Sequence, residues 1–349
     1  MKAVSVSSVG LSNAMRYSQM RMQVDLVKAQ KEMDTGRVAD LGLALGSRTA
    51  QSVTFARDLE RLNAIIDSNA LVSSRLDATQ NALEQLSDEA QTLLSSLMSN
   101  ASGDLNNTIT GDSGKAALKA LTSILNTSIN GEFLFAGTNT DVKPVNDFSA
   151  PGSPAKVAFD ASFLAYFGFD QDDPAAASIS ATAMDDFLTT IVEPQFLGTD
   201  WDNWSNATDQ AIVSRIALNE TTESSVSANI GGVRKLAMAA TIVSQLMSDN
   251  ISADARQTVV GRALSLVGES ISNLGQTRAQ TGIVQQRVSD ANTRMNTQID
   301  LFDHHILDLE GVDPYEAANR VNDLVSHIQT SFALTARIQQ LSLLNFLSP

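Results

Sequence analysis

Few side chains in this 349-residue sequence are spaced for catalysis or metal binding. Two carboxylate pairs, Asp172-Asp173 and Asp185-Asp186, carry the residue type that general acid–base chemistry uses. Adjacent residues on a helix or strand point apart, however, and both pairs sit in acidic, loop-like sequence. They read as solvated surface. His304-His305 is the one local histidine pair, and His327 stands apart from it. Neighbouring histidines on a helix do not share a face as histidines four residues apart do, so no metal site is expected. The absence of cysteine excludes disulfides, thiolate catalysis and cysteine-ligated metals. There is no phosphate-binding loop and no G-x-S-x-G elbow. Neither an enzyme nor a cofactor is expected.

A third set of polar residues, Arg278, Thr281, Gln285 and Asn292, interrupts an otherwise apolar helical seam. Polar residues at such positions set register inside a bundle, and that is the role expected of these four. The seam belongs to one of two long coiled-coil patterns. In the first, one heptad position holds Leu62, Asn69, Leu76, Leu83, Ala90 and Leu97, and its partner four residues on holds Ile66, Ser73, Gln80, Ser87 and Leu94. In the second, one position runs Val260, Val267, Leu274, Thr281, Val288, Met295, Phe302, Leu309, and its partner runs from Leu264 and Ile271 to Ile299 and Ile306. Such a run makes a helix of about 50 residues and ~75 Å. Gly261, Gly268, Gly275 and Gly282 recur every seven residues on this helix, and a neighbouring helix or subunit is expected to approach closely there.

Between the two patterns, Ser113 to Asn130 reads as a shorter helix closed by Gly131, followed by a short apolar strand in Glu132-Phe-Leu-Phe-Ala-Gly137. The pattern changes over residues 141–228. Five of the seven prolines and both tryptophans fall there, with fourteen acidic residues against Lys143, Lys156 and Arg215. This is an acidic insertion of mixed strand and helix, unsuited to nucleic acid. Residues 1–50 carry seven basic residues against four acidic ones. The expected fold is mainly α: a long antiparallel α-helical coiled-coil stalk with paired terminal helices and an inserted mixed α/β or β-rich outer domain. The expected domains are 1–49 plus 311–349 (terminal helices), 50–140 plus 229–310 (stalk) and 141–228 (acidic insertion). Residues 1–49 lack strong self-contained periodicity, so the terminal helices are expected to order on assembly.

The chain closes on an apolar helical strip that favours aggregation unless something covers it. Val321, Leu324, Ile328, Leu334, Ile338, Leu341, Leu343, Leu344, Phe346 and Leu347 are read as an assembly interface. No apolar run approaches the ~20 residues of a membrane span. The first ten residues alternate apolar side chains with Ser and lack the continuous apolar core of a secretory signal. On that reading the protein stays in the cytosol or leaves by another route.

Several of these segments resemble the bacterial flagellin family. Ala336-Arg-Ile-Gln-Gln-Leu-Ser-Leu-Leu-Asn-Phe-Leu347 resembles the ending of flagellins and of the related hook–filament junction proteins. The stretch with Arg278, Gly282 and Arg287 is similar to the family's C-terminal helix motif, and Gln30 to Arg37 to its N-terminal Gly-Lys/Arg segment. Phe133-Leu-Phe-Ala-Gly137-Thr138 resembles the turn from helix to outer domain in the junction protein next to the filament. The family's Asp-Asp-Pro motif is replaced by Asp40-Leu-Gly-Leu-Ala-Leu-Gly46. The resemblance implies a structural protein of the extracellular flagellum, exported through the flagellar type III apparatus without a cleaved signal. It implies self-assembly into a ring through the terminal helices, joining hook to filament. The implied partners are further copies of the chain, the neighbouring hook-associated junction protein, flagellin and an export chaperone, with no nucleic acid and no membrane. Flagellin itself is the alternative, and a cytosolic coiled-coil scaffold a third reading.

Overall fold

A computed structural model describes residues 8–103 and 106–347. The chain divides into two compact units. One comprises the residues up to Ala64 and from Met295 onward, the other Ile65–Arg294.

In the first unit, α1 (Ser8–Thr35) runs antiparallel to α10 (Pro314–Leu347). The Gln19 amide donates to the hydroxyls of Ser331 (3.3 Å) and Thr335 (3.2 Å), and Arg320 reaches Glu32 at 2.9 Å. Small residues, Ala29 and Ala317, are buried in this unit. The terminal helices are paired as expected, and α1 takes from α10 the partner its own weak periodicity does not supply. Where the Asp-Asp-Pro motif is missing, the Asp40 carboxylate caps a short helix, α2 (Leu41–Leu45), by accepting from the Leu43 N–H at 3.1 Å. Gly46 then adopts a left-handed φ of 54°, and one 3₁₀ turn leads into α3 (Thr49–Ala101).

The second unit is built on α3 and on α9 (Ala253–Glu310), which pair antiparallel. Within it the heptad residues Leu76, Leu83, Ala90 and Leu97 of α3 are buried, as are Val260, Val267, Leu274, Thr281 and Val288 of α9. The companion stripe on α3 lies one residue off the expected one. Val72, Thr79, Leu86 and Leu93, three residues on from the first stripe, are buried, while of the expected residues Ser87 is buried and Ile66, Ser73, Gln80 and Leu94 are half-buried. A two-stranded coiled coil would use the narrower seam. Here α3 also shares its core with α4 (Asn107–Leu125) and α8 (Gly231–Leu246), which widens and turns its apolar face. Helices α4 and α8 cross closely: a Cβ on Gly114 would lie 2.7 Å from the Ser244 backbone nitrogen.

The short helix ends earlier than its sequence pattern indicates. α4 stops at Leu125, and Gly131 does not cap it. Asn130 (φ 54°) and Gly131 (φ 86°) instead form the two-residue turn of a hairpin, β1 (Ser128–Ile129) with β2 (Glu132–Phe133). Two consecutive left-handed residues suit the Asn-Gly hairpin turn, a stronger local preference than a helix cap.

The acidic segment contains α5 (Pro154–Phe167), α6 (Ala181–Phe187), a π turn at Leu188–Val192, α7 (Glu193–Leu197) and the hairpin β3 (Val213–Ala217) with β4 (Glu220–Glu223). It is mixed, with helix predominating. Its buried aromatics, among them Phe159, Phe163, Phe187, Phe196 and Trp201, join one core cluster with Leu93, Leu97, Leu118 and Ile242. The segment therefore packs on the helices through a shared core. The glycine stripe of α9 stays open: nothing lies within 4 Å of a Cβ built on Gly261, Gly268 or Gly275, and only Gln80 Nε2 comes near Gly282, at 3.5 Å. No helix among the described residues fills that face.

Candidate assembly surface

Two places in the fold are built with more specificity than packing alone requires. One is the turn where the chain leaves the helices for the acidic segment. Phe133 donates its N–H to Thr140 (2.7 Å), Leu134 to Thr127 (3.1 Å), and Phe135 is fully buried. Gly137 has a φ of 66°, and a Cβ there would stand 2.3 Å from Thr208 Oγ1 and 2.4 Å from the Thr208 carbonyl. Thr138 donates its N–H to that same hydroxyl at 2.8 Å. Thr208 in turn donates to the Ala136 carbonyl, Ala136 bridges Ser227, and Ala228 donates to the Phe135 carbonyl. The outgoing and returning strands of the segment are stitched together at this turn. Arg75 of α3 holds the β1–β2 hairpin from below, bonding the Glu132 carboxylate (2.7 Å) and the Phe133 carbonyl (3.0 Å).

The motif arginines of α9 hold other parts of the second unit. Arg278 pairs with Glu84 at 3.5 Å. Arg287 reaches the Glu220 carboxylate (3.1 Å), the Thr222 hydroxyl (3.1 Å) and the Thr221 carbonyl, and Arg294 adds a second ion pair to Glu220 at 2.8 Å. Arg287 and Arg294 clamp the β3–β4 hairpin onto α9, whereas Arg278 ties α9 to α3.

Residues 6–140 match the bacterial flagellin N-terminal helical region, and residues 264–347 the bacterial flagellin C-terminal helical region. Together these matches cover well over half of the chain. The chain belongs to the bacterial flagellin family. Its fold is similar to that of a protein described as a flagellar hook-associated protein from Vibrio parahaemolyticus. The TM-score is 0.51 at 12% identity, over 75% of this chain and 97% of that one. At that identity the likeness is one of fold. No curated protein matches the chain in sequence. As a flagellin-family member it is a structural component that self-assembles into extracellular flagellar structures, and the family is not enzymatic.

For a flagellin-family chain, the second specific place is the terminal pair. Val321, Leu324 and Ile328 are half-buried on the helix that pairs with α1, and Leu334 is half exposed. Ile338, Leu341, Leu343, Leu344, Phe346 and Leu347 have side chains outside the described residues. Sequence reading overlooked the opposite helix. Tyr17, Met20, Val24 and Val27 of α1 are each more than half exposed and follow steps of three, four and three, which places them on one face. Arg16, Arg21, Lys28 and Lys31 are exposed or half-buried on the same helix. The spacing is short, and Ser18, Gln19, Arg21, Gln23 and Asp25 between these residues lower the average apolarity of the helix.

The remaining candidates stay apart from both places. Asp173 caps a 3₁₀ turn through the Ala175 N–H (2.8 Å), and Asp186 accepts from the Tyr166 hydroxyl (2.8 Å), which holds the phenol above its ordinary pKa. His305 stacks on Phe55 at 5.4 Å. Among the described residues no group of three or more His, Asp or Glu side chains is placed to hold a metal ion, and no helix is long and apolar enough to cross a membrane.

Proposed function

We propose that this flagellin-family chain is a hook–filament junction subunit of the hook-associated protein 3 kind, forming a ring through its terminal helices. The observation that carries this reading is the Phe133–Thr138 turn. Its residues resemble the junction protein's helix-to-outer-domain turn, and Gly137 sits where any side chain would collide with Thr208. The name borne by the Vibrio protein of similar fold is consistent with it. In this reading residues 1–49 and 311–349 make the ring contacts, 50–140 and 229–310 form the stalk, and 141–228 faces solvent. The contacts are the strip from Val321 to Leu347 and the open face of α1. The neighbours are the adjoining hook-associated junction protein on one side and flagellin on the other. An export chaperone and the type III route deliver the chain without a cleaved signal.

The second reading, the filament subunit itself, rests on the same family matches and is separated by one experiment. Flagella from a strain lacking this chain are imaged by electron microscopy and the culture medium is assayed for flagellin. A junction protein leaves bare hooks and intact flagellin shed into the medium. A filament subunit leaves hooks carrying both junction proteins and no flagellin outside the cell, which would overturn the proposal.

A further inference from the structure

Among the described residues Asn130 is the one residue other than glycine with a left-handed backbone, at φ 54°, and Gly131 beyond it has φ 86°. The Asn-Gly pair occurs once in the chain. Both residues are exposed at the tip of the β1–β2 hairpin. Among the described residues neither the Asn130 side chain nor the Gly131 N–H has a hydrogen-bond partner. Asn126 shows the protected alternative: its side chain donates to the Val145 carbonyl at 2.9 Å and accepts from the Val145 N–H at 3.1 Å. Glycine carries no side chain to shield its own backbone nitrogen, so the Gly131 nitrogen has open access to the Asn130 amide carbon. The hairpin that presents the pair is minimal, joining only Ser128 with Phe133 and Ile129 with Glu132. Its fastening to the long helix is Arg75, which bonds the Glu132 carboxylate at 2.7 Å and the Phe133 carbonyl at 3.0 Å.

We propose that Asn130 is a site of self-modification, at which the chain converts its own asparagine to aspartate or isoaspartate. The Gly131 backbone nitrogen gives up its proton to solvent base and attacks the Asn130 side-chain amide carbon. A carbon–nitrogen bond forms, the side-chain nitrogen leaves as ammonia, and a cyclic succinimide results. Water then opens the ring at either carbonyl, which leaves aspartate or isoaspartate at position 130. The reaction consumes only water and needs no oxidant, reductant or cofactor. The fold sets its rate. The ring demands a different ψ at Asn130 from that of a left-handed turn residue, so it closes only when the hairpin opens. A hairpin of two residue pairs opens locally at far lower cost than the whole unit, and Arg75 is the side chain that holds it shut. Isoaspartate adds one carbon to the backbone, which a two-residue turn cannot absorb without unpairing Ser128 from Phe133. The mark is slow and irreversible, and it loosens the entry to the Phe133–Thr138 turn whichever part of the flagellum the chain forms.

The test is peptide mapping by mass spectrometry of the full-length chain aged at mildly alkaline pH, both folded and in urea. The unchanged chain is compared with Arg75→Ala, Glu132→Gln and Gly131→Ala. Conversion in the folded chain is expected to be faster at Asn130 than at any other asparagine, and slower there than in urea. Folded Arg75→Ala and Glu132→Gln should convert Asn130 about threefold faster or more, while in urea they match the unchanged chain. Gly131→Ala should suppress conversion in both conditions. A folded chain whose Asn130 converts no faster than Asn126 would overturn the site. Equal folded rates with and without Arg75 would overturn the control by the hairpin. If Arg75→Ala does not fold, Glu132→Gln decides, since that side chain is 58% exposed.

Discussion

Asn69 donates its side-chain amide to the Asn292 side-chain oxygen at 2.7 Å across the α3–α9 seam, and also to the Ile216 carbonyl at 2.8 Å. The pair sits where leucine would give the stronger hydrophobic contact, yet it links three elements: both long helices and the β3–β4 hairpin. A second polar rung lies further along, where Gln80 meets the Arg278 carbonyl (3.0 Å) and Gln285 bonds Asp77 (2.6 Å). Such rungs fix one register among the several that a leucine seam allows.

Asn69→Ala is therefore expected to destabilise the second unit by about 1–3 kcal/mol, since it strands both acceptors in the interior. Asn292→Ala removes only the rung and is expected to cost less. In a double-mutant cycle by urea unfolding the two changes should couple by about 0.5 kcal/mol or more. Strict additivity would show that the rung carries no energy of its own.

Gly137→Ala is expected to cost about 2 kcal/mol or more. The left-handed φ strains any L side chain, and the added methyl collides with backbone as well as with the Thr208 hydroxyl. Thermal unfolding of the variant checks this, and near-neutral stability would mean that the turn readily rearranges.

Gly268→Ala should do the opposite. Its surroundings are open within the chain, it lies well inside a long helix, and alanine there is worth up to about 1 kcal/mol. The monomer's unfolding midpoint in urea is expected to rise. A fall would reveal a contact on that face.

Lys235 bonds Glu269 at 2.6 Å between α8 and α9. This bond, aided by Lys235's charge, Ser265 and Arg262, holds the Glu269 carboxyl below its ordinary pKa against a smaller opposing effect of burial. A carboxylate with a depressed folded-state pKa contributes stability above its unfolded pKa, and that contribution is lost as pH falls through the folded value. Lys235→Gln should thus lower stability at neutral pH by about 0.2–1 kcal/mol, because the carboxylate is half exposed. The difference from the unchanged chain should vanish in acid below the carboxylate range. Urea unfolding at the two pH values tests it, and a gap that persists in acid would assign the effect to lost packing.

The long helices were legible because eight heptads repeat one local rule, and local rules survive in sequence. The offset of the second α3 stripe was not legible, since which flank of a helix is buried depends on neighbours contributed by α4 and α8. At Asn130-Gly131 two local signals competed, a helix stop and a hairpin turn, and the pairing of Ser128 with Phe133 decides for the turn. Motif resemblance singled out Gly137 and Arg287, but their partners, Thr208 and Glu220, lie about 70 residues away from them in sequence and follow no spacing rule. Glu310, buried at the end of α9, gave no sequence signal at all, because a glutamate at a helix end is ordinarily solvated.

The terminal pair separates folding from assembly in a way one residue can test. Val24 is 55% exposed on α1, so Val24→Asp should leave the monomer's stability within about 0.5 kcal/mol of the unchanged chain. Leu324 is half-buried on α10, and Leu324→Asp should loosen the pair and lower the melting temperature of the first unit. Assembly should reverse the similarity of Val24→Asp to the parent. Placing an unpaired carboxylate in a subunit contact costs several kcal/mol, and the penalty recurs in every copy. Circular dichroism melting and swimming motility are measured on each variant. A stable, non-motile Val24→Asp strain is the expected outcome. Full motility with normal flagella would remove the open face of α1 from the assembly surface and leave the contacts to α10 alone.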